Sequence, residues 1–309
     1  MKRYFLGRIL SNIIAIWVII TITFFLMKGL PGDPFTEEKA LPPEILQSLY
    51  EHYKLNDPWY IQYGNYLKSI AKWDLGPSFK YKSRTVNDII NKGFPVSALL
   101  GLEALLLAVT FGLTLGTIAA LKKNKWQDIS AHLLSVLGIS VPSFILAAFL
   151  QYLFAIKLDL LPVARWGTFQ QSLLPALSLA ALPSAFITRL TRNHLIEALN
   201  QDYIKTARSK GIGEVQIIIR HALRNSLLPT ITYVGTLTAN ILTGSFVIEK
   251  IFGIPGLGQA FVNSIANRDY TVIMGLTVFY SVILLSLILL VDLAYGWMDP
   301  RIRLGRAPS

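Results

Sequence analysis

The chain has 309 residues, 53% of them hydrophobic and only 15% charged, with a mean hydropathy of +0.49, whereas soluble domains carry roughly 25% charged residues. Cysteine is absent and histidine occurs four times, which excludes a disulfide scaffold, Cys-ligated metal and a thiol nucleophile and leaves little for a histidine metal site. The net charge of +11 fits nucleic acid or a membrane surface, and only the placement of the charges can separate the two.

A bilayer core needs about 20 consecutive apolar helical residues. Six stretches qualify, near Ile9–Met27, Val96–Leu121, Ile129–Ile156, Ser172–Leu190, Ser226–Ile248 and Thr271–Trp297. The first follows Lys2, Arg3 and Arg8 but is too long for a signal peptide's apolar core. Leu30-Pro31-Gly32-Asp33-Pro34 after it is no small-residue cleavage site, so it reads as a retained span. With the N-terminus inside, the inner segments hold 16 Lys/Arg against 5 Asp/Glu, and the outer segments 13 against 11. Positive charge gathers on the cytoplasmic side of membrane proteins. The basic balance therefore predicts two cytoplasmic termini and no nucleic-acid binding.

The outer stretch 30–95 is too long to be a mere connector. Asp57-Pro58 predicts an N-cap and first-turn proline, and Tyr60, Tyr63, Leu67 and Ile70 follow at helical spacing. A shorter helix is predicted from Pro42-Pro43 through Ile45, Leu46 and Leu49. The aromatic stripe is either a cap packed on the spans or a docking surface for an external partner. Glu103 and Asp292 fall inside spans near opposite faces, a placement better suited to structural pairing than to a proton relay.

The inner stretch 191–225 carries the most information. Asp202 predicts the cap of a short helix, Tyr203–Lys210, that Gly211 terminates. After a Gly211-Ile212-Gly213 hinge, Glu214–Asn225 places Val215, Ile218, Ile219, Ala222 and Leu223 on one face and Gln216, Arg220 and Arg224 opposite. Two short helices of this kind suit insertion into another protein's groove or adsorption on anionic lipid, and periodicity does not separate these. In the fifth span Thr232, Thr236, Asn240 and Thr243 form a polar stripe. It can line a translocation path, exchanging hydrogen bonds with a peptide backbone, or it can join helices together with Gly235 and Ala239. Prolines 142, 175, 183 and 229 predict kinks.

The run Asp202-Tyr203-Ile204-Lys205-Thr206-Ala207-Arg208-Ser209-Lys210-Gly211, followed by His221-Ala222-Leu223-Arg224-Asn225-Ser226-Leu227-Leu228-Pro229, resembles the cytoplasmic loop of ABC-importer permeases. General members carry Glu-Ala-Ala, three residues, then Gly. Here Lys205-Thr206-Ala207 precedes Gly211, a departure that resembles the oligopeptide, dipeptide and nickel branch. Further likeness lies in Gly7-Arg8, Leu30–Pro34, Asp74-Leu75-Gly76-Pro77-Ser78-Phe79, Gly138-Ile139-Ser140-Val141-Pro142-Ser143-Phe144, Phe252-Gly253-Ile254-Pro255-Gly256-Leu257-Gly258 and Asp299-Pro300-Arg301.

The resemblance implies an all-α membrane protein of the type I ABC importer permease fold, with six transmembrane helices. Residues 1–29 would hold the cytoplasmic N-terminus and first span, 30–95 an extracytoplasmic insert, and 96–309 a five-helix core with the coupling loop 191–225. It also implies a bacterial cytoplasmic membrane, a homologous second permease, two ABC ATPase subunits, an extracytoplasmic peptide-binding protein and oligopeptide cargo. Dipeptide or nickel import is the nearest alternative, and an ion-gradient-driven transporter is the alternative from another class. No G-x-x-x-x-G-K-[ST] motif is present. ATP and magnesium would therefore reside on the ATPase partners, and this chain would hold no cofactor, metal or catalytic residue. Tyr203, Ile204 and Ala207 would give the coupling helix its apolar contacts, and Lys205 and Arg208 its charged ones, with Thr206 between them and Gly211 at its end.

Overall fold

The computed structural model describes residues 2–30, 47–48, 50–51, 55–81, 83–242 and 244–298. The predicted helix from Pro42 to Leu49, Thr243 and the Asp299–Arg301 motif lie outside these residues, as does the side chain of Asp292. The described chain is helical, with one isolated antiparallel bridge between Pro77 and Thr85. Four helices are long and apolar enough to cross a membrane: α1 (Lys2–Gly29), α3 (Val86–Leu121), α6 (Phe169–Leu199) and α12 (Tyr270–Met298). Two further spans are broken. The third consists of α4 (Trp126–Ser140) and α5 (Ser143–Leu150, continued by a π-helical stretch Gln151–Lys157), bent by 108° at Val141-Pro142. The fifth consists of α9 (Leu228–Leu242) and α10 (Phe246–Phe252).

The single third span read from hydropathy is therefore corrected. Pro142 has no N–H for a continuing helix and instead opens α5, its carbonyl accepting the Ile145 and Leu146 N–H groups. Pro175 and Pro183, in contrast, sit inside an unbroken α6. Polar side chains in the spans turn back on their own helix, as Ser135 does to Ala131 O, Ser178 to Leu174 O and Thr188 to Ser184 O, each at 2.8 Å. No hydroxyl of these three faces hydrocarbon unpaired.

The core is organised around α3 and α6, the most extensive helix pair. The buried face of α3 is a run of small residues, including Gly101, Ala104, Ala108, Gly112 and Gly116. A Cβ on Gly112 would lie 2.5 Å from Ile187 Cβ, and one on Gly116 2.7 Å from Thr188 O. Small residues are what let membrane helices approach until their backbones touch. Gly235 of α9 meets Val291 of α12 in the same way, at 2.6 Å.

At the end of α6 farther from the insert, Arg192 grips Asp128 of α4 through two hydrogen bonds of 2.5 and 2.8 Å. Asp128 is 4% exposed and also accepts the Asn124 N–H at 2.9 Å. Arg192→Leu should cost about 3 kcal/mol, the low end for breaking a buried pair, because Arg192 is partly solvated. The Asp128→Leu/Arg192→Leu double variant should recover most of that loss. The thermal midpoint of purified protein checks both, and an unchanged midpoint in the single variant would show that the pair contributes nothing.

The insert helix α2 (Trp59–Ala71) starts one residue later than predicted. Pro58 stands at its N-cap, and Asp57 makes no side-chain cap; Gln62 Nε2 instead donates to the Leu55 and Asp57 carbonyls at 2.8 and 2.6 Å. The aromatic stripe is a cap. Tyr63 and Tyr66 lie 5.2 and 5.8 Å from the Phe24 ring of α1, the Tyr63 hydroxyl meets Thr21 at 2.6 Å, and Leu67 and Ile70 pack on the core. Trp59 and Tyr60 are left exposed.

Candidate functional site

Three groups of residues stand out. The first is the short helix predicted from sequence to be the coupling segment. Helix α7 (Asp202–Ser209) includes Asp202 in its first turn, with Gln201 at the N-cap, so the predicted Asp202 cap is replaced by a 2.8 Å ion pair with Lys205. At the other end Gly211 adopts φ +75°, its N–H donates to Arg208 O, and the Ile212 N–H donates to Ala207 O. This doubly bonded left-handed cap is what a glycine after a helix makes possible. Arg208 then reaches over the bend to Glu214 at 2.7 and 3.2 Å. The guanidinium holds the Glu214 carboxyl below its ordinary range, so the bridge is intact at neutral pH and is lost only as pH falls through that lowered value.

Ile204 and Ala207 are buried against Leu195 and Ala198 of α6 and against Ile217 and Ala222. Both are used within the chain, which corrects their assignment as apolar contacts for a partner. Tyr203, Lys205, Thr206 and Arg208 make up the outward face.

The next stretch, α8, begins as Glu214–Gln216, becomes π-helical over Ile217–Leu223 and closes with Arg224–Ser226. The apolar face read at α-helical spacing is not the set of residues that packs inward. With bonds from i to i+5, residues five apart stack. Ile217 and Ala222 are accordingly both 0% exposed, while Val215 and Ile219 are 71% and 60% exposed.

The second group is the stripe on α9. Thr232, Thr236 and Asn240 are exposed on one face, away from the contact of Gly235 with Val291. Helix-joining therefore belongs to Gly235, and the polar stripe faces off the bundle. Thr236 donates to Tyr233 O at 2.9 Å, and Asn240 Nδ2 to Thr236 O at 3.2 Å.

The third group was not read from sequence as a site. Glu249 of α10 is 0% exposed. Its carboxylate accepts the Ser97 hydroxyl of α3 at 2.7 Å, the Gln259 N–H at 3.0 Å and the Gly258 N–H, the last two in the first turn of α11 (Leu257–Ala266). Ser97 Oγ in turn accepts the Leu257 N–H at 2.9 Å. A helix start offers unpaired N–H donors and a favourable dipole to an anion, here supplied by the chain itself. Cβ atoms on Gly244, Gly256 and Gly258 would each come within 3.0 Å of this carboxylate. That spacing of glycines on both sides of an acid was the available signal.

Asp269, also 0% exposed, does comparable work beside α12. It accepts the Ser78 hydroxyl, the Phe79 N–H at 3.2 Å and the Val272 N–H at 3.4 Å. The Asp74–Phe79 motif is thereby fixed to the sixth span, and Asn87 of α3 secures its other edge through Leu75 N and Trp73 O. Glu103 Oε2 is buried with no hydrogen-bond partner among the described residues.

Residues 112–304 match the family of binding-protein-dependent transport system inner membrane components, and residues 1–101 match the N-terminal region of such membrane components. The chain belongs to this permease family. The permease is 54% identical over 306 residues to the dipeptide transport system permease protein DppB of Bacillus subtilis, covering 99% of both chains. It is 45% identical over 305 residues to the oligopeptide transport system permease protein OppB of Salmonella typhimurium, covering 98% of this chain and 100% of that one. A chain of the MetNI methionine ABC transporter, solved in inward-facing conformations, superposes with a TM-score of 0.52 at 17% identity, covering 68% of the permease and 94% of that chain. The fold is that of the type I ABC importer permeases.

Proposed function

We propose that this permease moves peptides inward across the bacterial cytoplasmic membrane, with both termini cytoplasmic. It would work beside a homologous second permease, two ATPase subunits that hydrolyse ATP, and an extracytoplasmic peptide-binding protein. The observation that carries this is end-to-end similarity to permeases named for peptide transport. Oligopeptides are the first reading of the cargo. Dipeptides are the second, favoured by the 54% relative. ATP-dependent uptake of peptides of graded length by the reconstituted complex tests the function and separates the two lengths. Uptake by this chain alone, driven by a pH gradient without ATP, would overturn it.

The outward face of α7, with Tyr203, Lys205, Thr206 and Arg208, is the surface for the ATPase. Ile204 and Ala207 act from beneath by seating the helix on α6 and α8. A helix held this way passes motion to the spans directly, provided the ATPase grips it more strongly in one state than in the other. Thr232, Thr236 and Asn240, with Thr243, are proposed to line the path, where hydroxyls and an amide exchange hydrogen bonds with a peptide backbone without reading its side chains.

Gly211→Val tests the coupling. No atom would obstruct a Cβ there, but φ is +75°, so the cost is conformational, about 1–2 kcal/mol. Co-purification of the ATPases should fall roughly five- to thirtyfold while membrane insertion is unchanged. Normal co-purification and transport would remove α7 from the coupling role.

A further inference from the structure

Behind the junction of α9 and α10 lies a cavity of about 320 Å³. Asn240, the last described member of the polar stripe, stands at its edge, and Phe246, Phe261 and Tyr280 supply its aromatic walls. Gly244 and Gly258 also line it. The backbone is bare at both, because Cβ atoms would meet Glu249 Oε1 at 2.7 Å and the Phe246 backbone at 2.7 Å. Thr277 and Ser281, on the α12 wall, return their hydroxyls to the Ile273 and Thr277 carbonyls at 2.7 Å. The Tyr280 hydroxyl is buried and has no hydrogen-bond partner among the described residues. A buried hydroxyl left unpaired is costly unless something that visits the site satisfies it.

From this geometry we infer that the cavity receives one bulky uncharged side chain of a peptide in transit, making this permease a selector as well as a conduit. The inference rests on the peptide reading above. Its volume is at the lower limit of ligand pockets, roughly 300 Å³, with room for one large side chain. Its walls are aromatic and its one unsatisfied polar group is a hydroxyl, which suits Phe, Leu, Tyr or Gln. The Glu249 carboxylate lies just behind Gly258, 2.9 Å from where its Cβ would be, so Asp or Glu in the cavity would face a like charge at short range in a low-dielectric wall. Asn240 belongs both to the lining of the cavity and to the stripe that would carry the peptide backbone.

The test uses the complete transporter in proteoliposomes with saturating binding protein and four tripeptides, Ala-Phe-Ala, Ala-Tyr-Ala, Ala-Ala-Ala and Ala-Glu-Ala. Ser281→Phe fills the cavity from the α12 wall. It should lower Ala-Phe-Ala uptake at least about tenfold, the lower end of discrimination by an apolar pocket, while Ala-Ala-Ala stays within about twofold, too small a change to count as discrimination. In the unmodified transporter Ala-Glu-Ala should be the slowest. Tyr280→Phe, which keeps the shape, should remove any advantage of Ala-Tyr-Ala over Ala-Phe-Ala and so decides the matter if Ser281→Phe does not assemble. Equal slowing of all peptides by Ser281→Phe, or an unchanged Tyr-to-Phe ratio in Tyr280→Phe, would overturn the cavity assignment. Failure of the unmodified transporter to take up any peptide with ATP would instead overturn the peptide reading itself.

Discussion

Glu249→Ala should cost about 3–5 kcal/mol and leave little assembled permease, whereas Glu249→Gln should be tolerated. Alanine removes the acceptor for the Ser97 hydroxyl and for the Gly258 and Gln259 N–H groups. Each buried donor left unmade costs about 1–3 kcal/mol, and the void adds to that. Glutamine keeps the shape. Its carbonyl oxygen can replace Oε2 toward the α11 N–H groups, and its amide can donate to the second lone pair of Ser97 Oγ, so one donor, the Ser97 O–H, must turn to another acceptor, where alanine strips three. Yield and thermal midpoint of the purified complex read the alanine variant, and ATP-driven uptake reads the glutamine variant. If Glu249→Gln folded normally but lost transport, the carboxylate would be a proton carrier and the bracing role assigned to it here would be wrong.

Gly112→Leu should be comparably damaging, at about 3 kcal/mol or more, the upper end for an overpacked core. The added Cβ would overlap both Cβ and Cγ2 of Ile187 at 2.5 Å and press on Ser184 O at 3.1 Å, so relief requires α3 and α6 to part along their length. Gly112→Ala should be milder and should be partly rescued by Ile187→Ala, which removes the Cγ2 contact and leaves the one to Cβ. Gly64→Ala, where a Cβ meets nothing within 4 Å, is the silent control. Equal thermal midpoints for Gly112→Leu and Gly64→Ala would show that the small-residue seam carries no weight in assembly.

The spans, the insert helix and the short helix ended by Gly211 were legible because each is a local pattern: apolar length, helical periodicity, or a glycine where a helix must stop. What escaped was set by contacts between distant parts of the chain. Glu249 and Asp269 look like loop charges in a count of sidedness, and only the fold delivers Ser97 and Ser78 to them across 152 and 191 positions of sequence. Ile204 and Ala207 lie at a spacing that marks an apolar face, but nothing in that spacing says whether the face meets a partner or the chain itself. The inward residues of α8, Ile217 and Ala222, do not follow from α-helical phase because the stretch is π-helical, which residue type alone does not announce. Pro142 and Pro183 carry the same ring, yet one breaks its span and the other does not, because only at Pro142 does the preceding residue leave helical geometry, with Val141 extended at ψ 119°.

The attachment of Ser78 and Phe79 to Asp269 has a mechanical meaning. Asp269 stands at the head of a 29-residue helix, a stiff rod about 43 Å long at 1.5 Å per residue. The Asp74–Phe79 loop is bolted to the top of that rod and cannot travel without it. A load placed on this loop from one side of the membrane therefore tilts a lever whose far end emerges on the other side, with no soft joint between them to absorb the stroke.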